Sequence, residues 1–345
     1  MKYDLCKKGL ILGLIILIFV SMSGCITPSD SPELPPRGFF MGVLPIPAEG
    51  QTFDECYYQV SQHAEFVPCH GSGSSPFYEK AAELKGSWGK TFVDGYTRGN
   101  GMFPIVHVNF FVEEITLVTP PGMDDATLND SSWRNEYKTA VLDIVKASKP
   151  LYISIGNEVN KWYEIHGASE GNPNGFQHYV SLYEEIYDSV KKISPETYVF
   201  CVFAREIVDE NRVADLEFLN MFNSDKLDIF VFTSYPYAIA EINRPSDIPD
   251  DYYSSALQYI QGKPFGFSEL GWSSLEFFGG EQAQADFLLN VSSHLTADQG
   301  INLHLFGYAW LHDLSEITSI GLIKSDGTEK LGYKAWKEIS ISEWL

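Results

Sequence analysis

The sequence predicts an α/β protein built as a (β/α)8 barrel, a single domain behind an N-terminal export signal and linker. Three observations carry this. Short apolar runs alternate with helical patterns through eight units between residues 38 and 339. The runs are apolar throughout instead of alternating with polar residues, the pattern of parallel strands covered on both faces by helical crossovers. The turn after the first run, Gly42-Val-Leu-Pro45, is not the Gly-rich phosphate turn of a doubly wound open sheet. A chain of 345 residues also leaves room for a barrel of about 250 residues with its loops.

Taken in order, strand 38–44 and helix 54–63 form the first unit, and strand 65–69 with the long helical region 77–96 the second. Strand 103–111, a Pro-rich loop near Pro120 and helix 132–148 make the third. Strand 151–155 precedes helix 177–193, strand 198–203 a short helix at 214–222, and strand 227–232 a helix at 251–260. Strand 264–267 leads to helix 282–295, and strand 301–309 to an amphipathic piece at 333–339 that closes the chain. No internal repeat is visible beyond this alternation.

Ahead of the barrel, Lys2, Lys7 and Lys8 precede the apolar run 9–20, which is followed by Met22-Ser-Gly-Cys25. A charged segment, a short apolar segment and small residues in that order read as a signal peptide, and the run is well short of the roughly 20 residues that span a bilayer. Ser23-Gly24 before Cys25 resembles the lipobox of secreted lipoproteins. That implies a signal at 1–24, a lipid on Cys25, a Pro/Ser-rich linker at 25–37 and a barrel at 38–345. An uncleaved anchor is the alternative, and either way the body is expected outside the cell and tethered to the membrane.

Loss of residues 1–24 removes three Lys and one Asp, leaving 24 − 3 = 21 basic and 46 − 1 = 45 acidic side chains, a formal charge of −24. Such a surface repels phosphate backbones, so nucleic acid is not an expected partner and a neutral substrate fits better than a polyanion. Cys6 leaves with the signal, Cys25 would carry lipid, and Cys56, Cys69 and Cys201 remain. Cys56 and Cys69 either pair in an oxidising compartment or stay as small core residues. No Cys-x-x-Cys or Cys/His ligand spacing is present, so neither a structural metal nor a cofactor is expected.

The chemistry is concentrated at two strand tips. The apolar run 151–160 ends in Asn157-Glu158, and the run 263–272 ends in Ser268-Glu-Leu-Gly-Trp272 with Glu269 at its tip. Two such carboxylates suit paired acid and base work. In a (β/α)8 barrel the C-terminal strand ends share one mouth. That rule gathers Asn157, Glu158 and Glu269 with Thr233-Ser-Tyr-Pro-Tyr237, Tyr308-Ala-Trp310, His70 and Asn109.

These residues resemble glycoside hydrolase clan A, the retaining (β/α)8 glycosidases with Asn-Glu on the fourth strand and Glu on the seventh. Gly156-Asn-Glu-Val159, Tyr235-Pro-Tyr237 and Ser268-Glu-Leu-Gly-Trp272 are most similar to the endo-1,3-β-glucanases of family 17. The endo-1,4-β-galactanases of family 53 share a similar Gly-Asn-Glu and a Tyr-Pro on the sixth strand. The tail from Gly321 to Lys330, followed by Trp336, resembles a common ending across the clan. The resemblance implies that Glu158 is the acid/base, Glu269 the nucleophile, Asn157 a partner of the sugar 2-OH, Tyr235 a donor to the nucleophile and Trp310 the floor under the reacting sugar. Trp162 and Trp272 then serve as outer sugar platforms or as plain cover for helices. His70 and Asn109 line the site, His107 is expected as a satisfied histidine inside the barrel, and Arg205 receives no role.

The expected partner is a neutral β-linked polysaccharide or oligosaccharide, a β-glucan or β-galactan. A non-catalytic glycan-binding surface lipoprotein is the rival reading, but binding alone needs no opposed pair of acids. A metal-dependent barrel hydrolase is a second rival. It wants a His-x-His near the first strand, and Gly42-Val-Leu-Pro45 supplies none. Mass spectrometry of the mature protein should find Cys25 at the N-terminus and acylated; a chain that begins at Met1 would overturn the lipoprotein assignment.

Overall fold

Parallel strands close into a ring in this protein, and the ring closes through a strand that is broken in the middle. The structure, a computed structural model, describes residues 32–343 except 74, 113, 261, 296–300 and 315–318. The expected signal at 1–24, Cys25 and the first part of the linker lie outside the described residues.

The strands are β1 (Phe40–Leu44), β2 (Phe66–Cys69), β3 (Phe103–His107), β4 (Tyr152–Ser154), β5, β6 (Phe230–Ser234), β7 (Phe265–Leu270) and β8 (Leu303–Trp310). β5 consists of Tyr198–Phe200 and, past Cys201, Val202–Ala204. Its first half pairs with β4 and its second with β6, while β8 pairs with β1, so every barrel strand has two parallel neighbours. This is the (β/α)8 barrel that the sequence predicts. The helices are α1 (Phe53–Ser61), α2 (Phe77–Lys85), α3 (Ser131–Ser148), α4 (Asn160–His166), α5 (Phe176–Ile193), the single turn α6 (Leu257–Ile260), α7 (Gly280–His294) and α8 (Leu331–Ile341).

Two apolar layers hold the ring. Phe40, Phe66, Ile105, Tyr152, Phe200, Val231 and Leu305 fill the lumen, with Phe40 set edge-on to Phe103 and Tyr152 stacked on Tyr198. The larger layer lies between the strands and the helices. Toward the C-terminal strand ends the buried positions turn polar, at His107, Ser154 and Ser268. Polar groups at that depth cost stability unless they are hydrogen-bonded; the Ser154 hydroxyl donates to the Gly156 carbonyl at 2.7 Å, whereas the Ser268 hydroxyl and both His107 ring nitrogens have no protein partner.

The helical region expected over 77–96 splits at Gly86 into α2 and a wider, π-type helix, Gly89–Thr97. The helices expected at 214–222 and 251–260 shrink to a 3-10 turn, Glu217–Met221, and the single turn α6. Arg205 accounts for part of this. Its buried guanidinium donates twice to the Tyr252 carbonyl, at 3.0 and 2.7 Å, and once to that of Ala214, at 3.2 Å, taking acceptors that a longer helix would have used. Cys56, Cys69 and Cys201 are free and buried, with burial pushing the Cys56 thiol up to about 12 and that of Cys69 up to about 11.

The tail motif packs the last helix. Lys330, which precedes α8, is buried and its Nζ lies 2.6 Å from Asp313 Oδ2 and 2.9 Å from the Gly321 carbonyl. Asp313 in turn accepts the Gly321 N–H at 2.8 Å. Removing one partner of such a pair strands the other charge in a dry site. Lys330→Met should therefore lower the unfolding free energy by about 3–5 kcal/mol in a urea titration; an unchanged midpoint would mean that the pair does not secure α8.

Candidate active site

β4 ends at a kink that aims its acid into the barrel mouth. Gly156 has φ 109°, where an added Cβ would sit 2.6 Å from Val159 Cγ1, so only glycine fits. Glu158 itself has φ 53°, a strained backbone for a residue with a side chain. Neighbouring β5 holds it there. The Val202 N–H donates to the Gly156 carbonyl at 3.1 Å and the Val159 N–H to the Val202 carbonyl at 3.0 Å. The buried Asn160 amide clasps both backbone groups of Ala204, at 2.7 and 2.9 Å. The Glu158 carboxylate then accepts from Thr233 Oγ1 at 2.6 Å and forms an ion pair with Lys161.

The second acid arrives from β7, whose pairing with β6 slips between Phe267 and Glu269, an irregularity that re-aims the side chain at the strand tip. Tyr235 OH donates to Glu269 Oε2 at 2.6 Å. The Tyr235 ring lies against Gly271, where a Cβ would meet it at 2.6 Å, which explains the glycine in Ser268-Glu-Leu-Gly-Trp272. Burial pushes the Glu269 carboxyl up to about 7, with the Tyr235 hydrogen bond opposing the rise and the charge of Glu158 adding to it. Burial, then the Glu269 charge, also raises the Tyr235 phenol, so it remains a donor.

Glu158, Glu269, Tyr235 and the half-buried Trp310 face one cavity of about 390 Å³. A second cavity of about 900 Å³ continues from Asn157, Glu158 and Lys161 to Asn109 and His70. The structure therefore brings Glu158, Glu269, Asn157, Tyr235, Trp310, Asn109 and His70 to one cleft. His70 Nε2 is 4.0 Å from Glu269 Oε1, beyond hydrogen-bond reach, and burial and Lys80 bring its pKa down to about 4, so it is a neutral wall. The Oδ1 atoms of Asn109 and Asn157 are buried without a protein partner, acceptors ready for a ligand.

Three expectations need correction. Trp162 is 1% exposed and Trp272 0% exposed, so neither is a sugar platform. Trp162 donates to the Asn174 carbonyl and packs on His166, while Trp272 donates to the Phe278 carbonyl and its own carbonyl accepts from Gln284; both are core. His107 is not satisfied either. It stacks on His70 at 4.5 Å, and neither ring nitrogen has a hydrogen-bond partner. Burial, with His70 and Lys80 adding to it, lowers its pKa and keeps the ring neutral.

Sequence reasoning missed Lys161 and Glu206. The first was visible as a cation one helical turn after Glu158. The second follows the tip of β5, a third strand-tip acid in the same sequence context as the other two. Glu206 is 3% exposed and accepts from the Tyr252 hydroxyl at 2.6 Å, Ser234 Oγ at 2.8 Å and the Tyr235 N–H at 2.7 Å. It thereby fixes the backbone that carries the donor to Glu269. Among the described residues no group of three or more His, Cys, Asp or Glu side chains is placed to hold a metal ion.

No family model matches the chain, and no curated protein matches it in sequence. Solved structures share its fold. A family 39 glycoside hydrolase from the gut symbiont Bacteroides cellulosilyticus WH2 superposes with a TM-score of 0.59 at 15% identity, over 90% of this chain and 65% of that one. An exo-β-1,4-mannosidase from Opitutaceae bacterium strain TAV5 gives 0.62 at 14% identity, over 90% and 62%. Xylanase 10B from Thermotoga maritima gives 0.61 at 11% identity, over 88% and 95%. The chain thus spans just under two thirds of the first two and nearly all of the third. Its fold is that of the (β/α)8 glycoside hydrolases; the narrower likeness to families 17 and 53 rests on the short motifs alone.

The raised Glu269 carboxyl has a consequence for stability. An unfolded-chain glutamate titrates near 4.5 and this one near 7. Folding therefore favours the protonated form, and the stability it contributes is complete below about pH 4.5 and lost as pH rises to about 7. Because the side chain keeps 23% of its surface open, the loss is at most about 3 kcal/mol. Glu269→Gln should unfold later than wild type at pH 8 and show no such gain at pH 4. An equal shift at both values would place the effect outside the titration of Glu269.

Proposed function

We propose that the protein is a retaining glycoside hydrolase that cleaves a neutral β-linked glycan, with a β-glucan or β-galactan as the substrate class, and that it works outside the cell on a lipid anchor at Cys25. The observation that carries this reading is the pair Glu158 and Glu269 on opposite strands of one cleft, each with its own hydroxyl donor, over the half-buried Trp310. Glu269, met by the Tyr235 hydroxyl, is the nucleophile; as the carboxylate attacks the anomeric carbon, the hydrogen bond keeps its charge in place. Glu158 donates a proton to the departing oxygen and then, as the base, takes one from the water that releases the sugar. Trp310 offers its ring to the apolar face of the pyranose, and the unpartnered carbonyl oxygens of Asn157 and Asn109 accept from its hydroxyls. A carboxyl pair on facing strand tips of a narrow barrel suits double displacement, which requires a separation of about 5–5.5 Å.

Proton NMR of early hydrolysis should show the product anomer of unchanged configuration appearing first. Glu158→Ala should still react slowly with activated aryl glycosides, and azide should restore turnover and yield the β-glycosyl azide. Glu269→Ala should lose on the order of 10⁴-fold or more with every substrate, and any azide rescue should yield the α-product. An inverted first product would remove Glu269 as nucleophile. Absence of hydrolysis on laminarin, galactan and aryl glycosides alike would favour a glycan-binding surface protein on the same barrel.

A further inference from the structure

Beside the cleft, between the β1–α1 and β2–α2 loops, lies another cavity of about 550 Å³ that the proposed reaction does not use. Its walls include Ile46 and Pro47 from the first loop, Phe53 at the start of α1, and Trp88 and Phe92 of the π-type region. Trp88 lies nearly parallel to Phe92, with ring centroids 5.2 Å apart, and Phe53 meets Phe92 edge-on at 5.1 Å. Phe53 remains 47% exposed and Ile46 and Pro47 are only partly covered, so the aromatic cluster opens to solvent instead of closing into core.

Among the described residues no charged side chain lines this cavity. Its polar atoms are few, and Thr97 Oγ1 is already committed to the Phe92 carbonyl at 2.7 Å. His70, which with Gly73 is shared with the cleft, is held neutral by burial and Lys80. A pyranose brings several hydroxyls, each costly to bury without a partner. The lining therefore suits a hydrocarbon group better than another sugar. The volume falls within the range of small-molecule sites, about 300–1,000 Å³. The loop between this cavity and the cleft is pinned in advance: Glu83 accepts the Ser72 N–H at 2.7 Å and Ser75 Oγ at 2.6 Å. A site that is already ordered spends little binding energy on loop ordering.

We propose that this cavity binds an apolar substituent, alkyl, acyl or aryl, carried by the same glycoside that lies in the cleft, so that the substrate is a sugar bearing an apolar group. This deepens the hydrolase reading and rests on it for the identity of the neighbouring site. His70 fixes the relation between the two: one ring forms a wall of both cavities and stands 4.0 Å from the nucleophile, so the substituent and the reacting sugar are adjoining parts of one molecule.

The test is a series of n-alkyl β-glucosides from methyl to octyl, kept below their micelle concentrations, titrated calorimetrically into the full chain. Hydrolysis of aryl glycosides is measured in parallel. Kd should fall by about fourfold for each methylene up to hexyl as the chain leaves water. Ile46→Asp, which puts a charge on the partly exposed wall, should flatten the series while leaving methyl glucoside binding unchanged. Trp88→Ala should make the slope shallower, and the conservative Ile46→Leu should keep the wild-type slope. A flat series in wild type, or a slope that Ile46→Asp and Trp88→Ala leave intact, overturns the proposal. A slope in a protein that hydrolyses no glycoside supports the cavity and defeats the hydrolase reading; hydrolysis without a slope does the reverse.

Discussion

The break in β5 at Cys201 is the constraint on which the rest depends. A parallel ring needs each strand to satisfy two neighbours, and β5 does so in two halves, one turned to β4 and the other to β6. The same break frees the Val202 backbone to bond Gly156 and Val159, which pins the tip of β4 in a conformation that a side-chain-bearing residue resists. The strain at Glu158 persists because Val202 and Ala204 over-determine it. Ring closure and the placement of the first carboxylate are one event.

The two carboxylates then differ by environment. Glu158 has an ammonium and a hydroxyl beside it. Glu269 has one hydroxyl and a buried setting, with two neutral imidazoles stacked beyond it. Glu206, deeper still, also lines the cavity of the other two acids, and its three donors make it the peg that sets the β6 tip. Three strand-tip acids thus sit in three different settings, because each meets a different set of donors and charges.

The cleft is asymmetric in a way that bears on substrate. At one end Trp310 and the two acids make a polar, partly aromatic site; past His70 the lining becomes aromatic and uncharged. A chain whose formal charge is −22 carries almost none of that charge on this second surface. The contrast sets a polar surface and an apolar one side by side at one barrel mouth.

The strands, their parallel order and the mouth residues were legible in the sequence because continuous apolar runs and tip residues are local patterns. Asn157, Glu158, Tyr235, Glu269 and Trp310 each follow an apolar run directly, and barrel geometry does the gathering. Helix lengths between β5 and β7 were not legible, since Arg205 draws carbonyls from Ala214 and Tyr252, residues 9 and 47 positions away. Nor was the fate of Trp162 and Trp272: an indole has the same composition on a cleft wall as in a core, and only the packing of Asn174 and Gln284 around them decides which. The sequence by itself determined the ring and two of its three strand-tip acids, Glu158 and Glu269, because these depend on short-range patterning. Tertiary structure alone decided which rings are buried, which donors each acid meets and which cavity is apolar, because those properties belong to the neighbours a residue acquires only when the barrel closes.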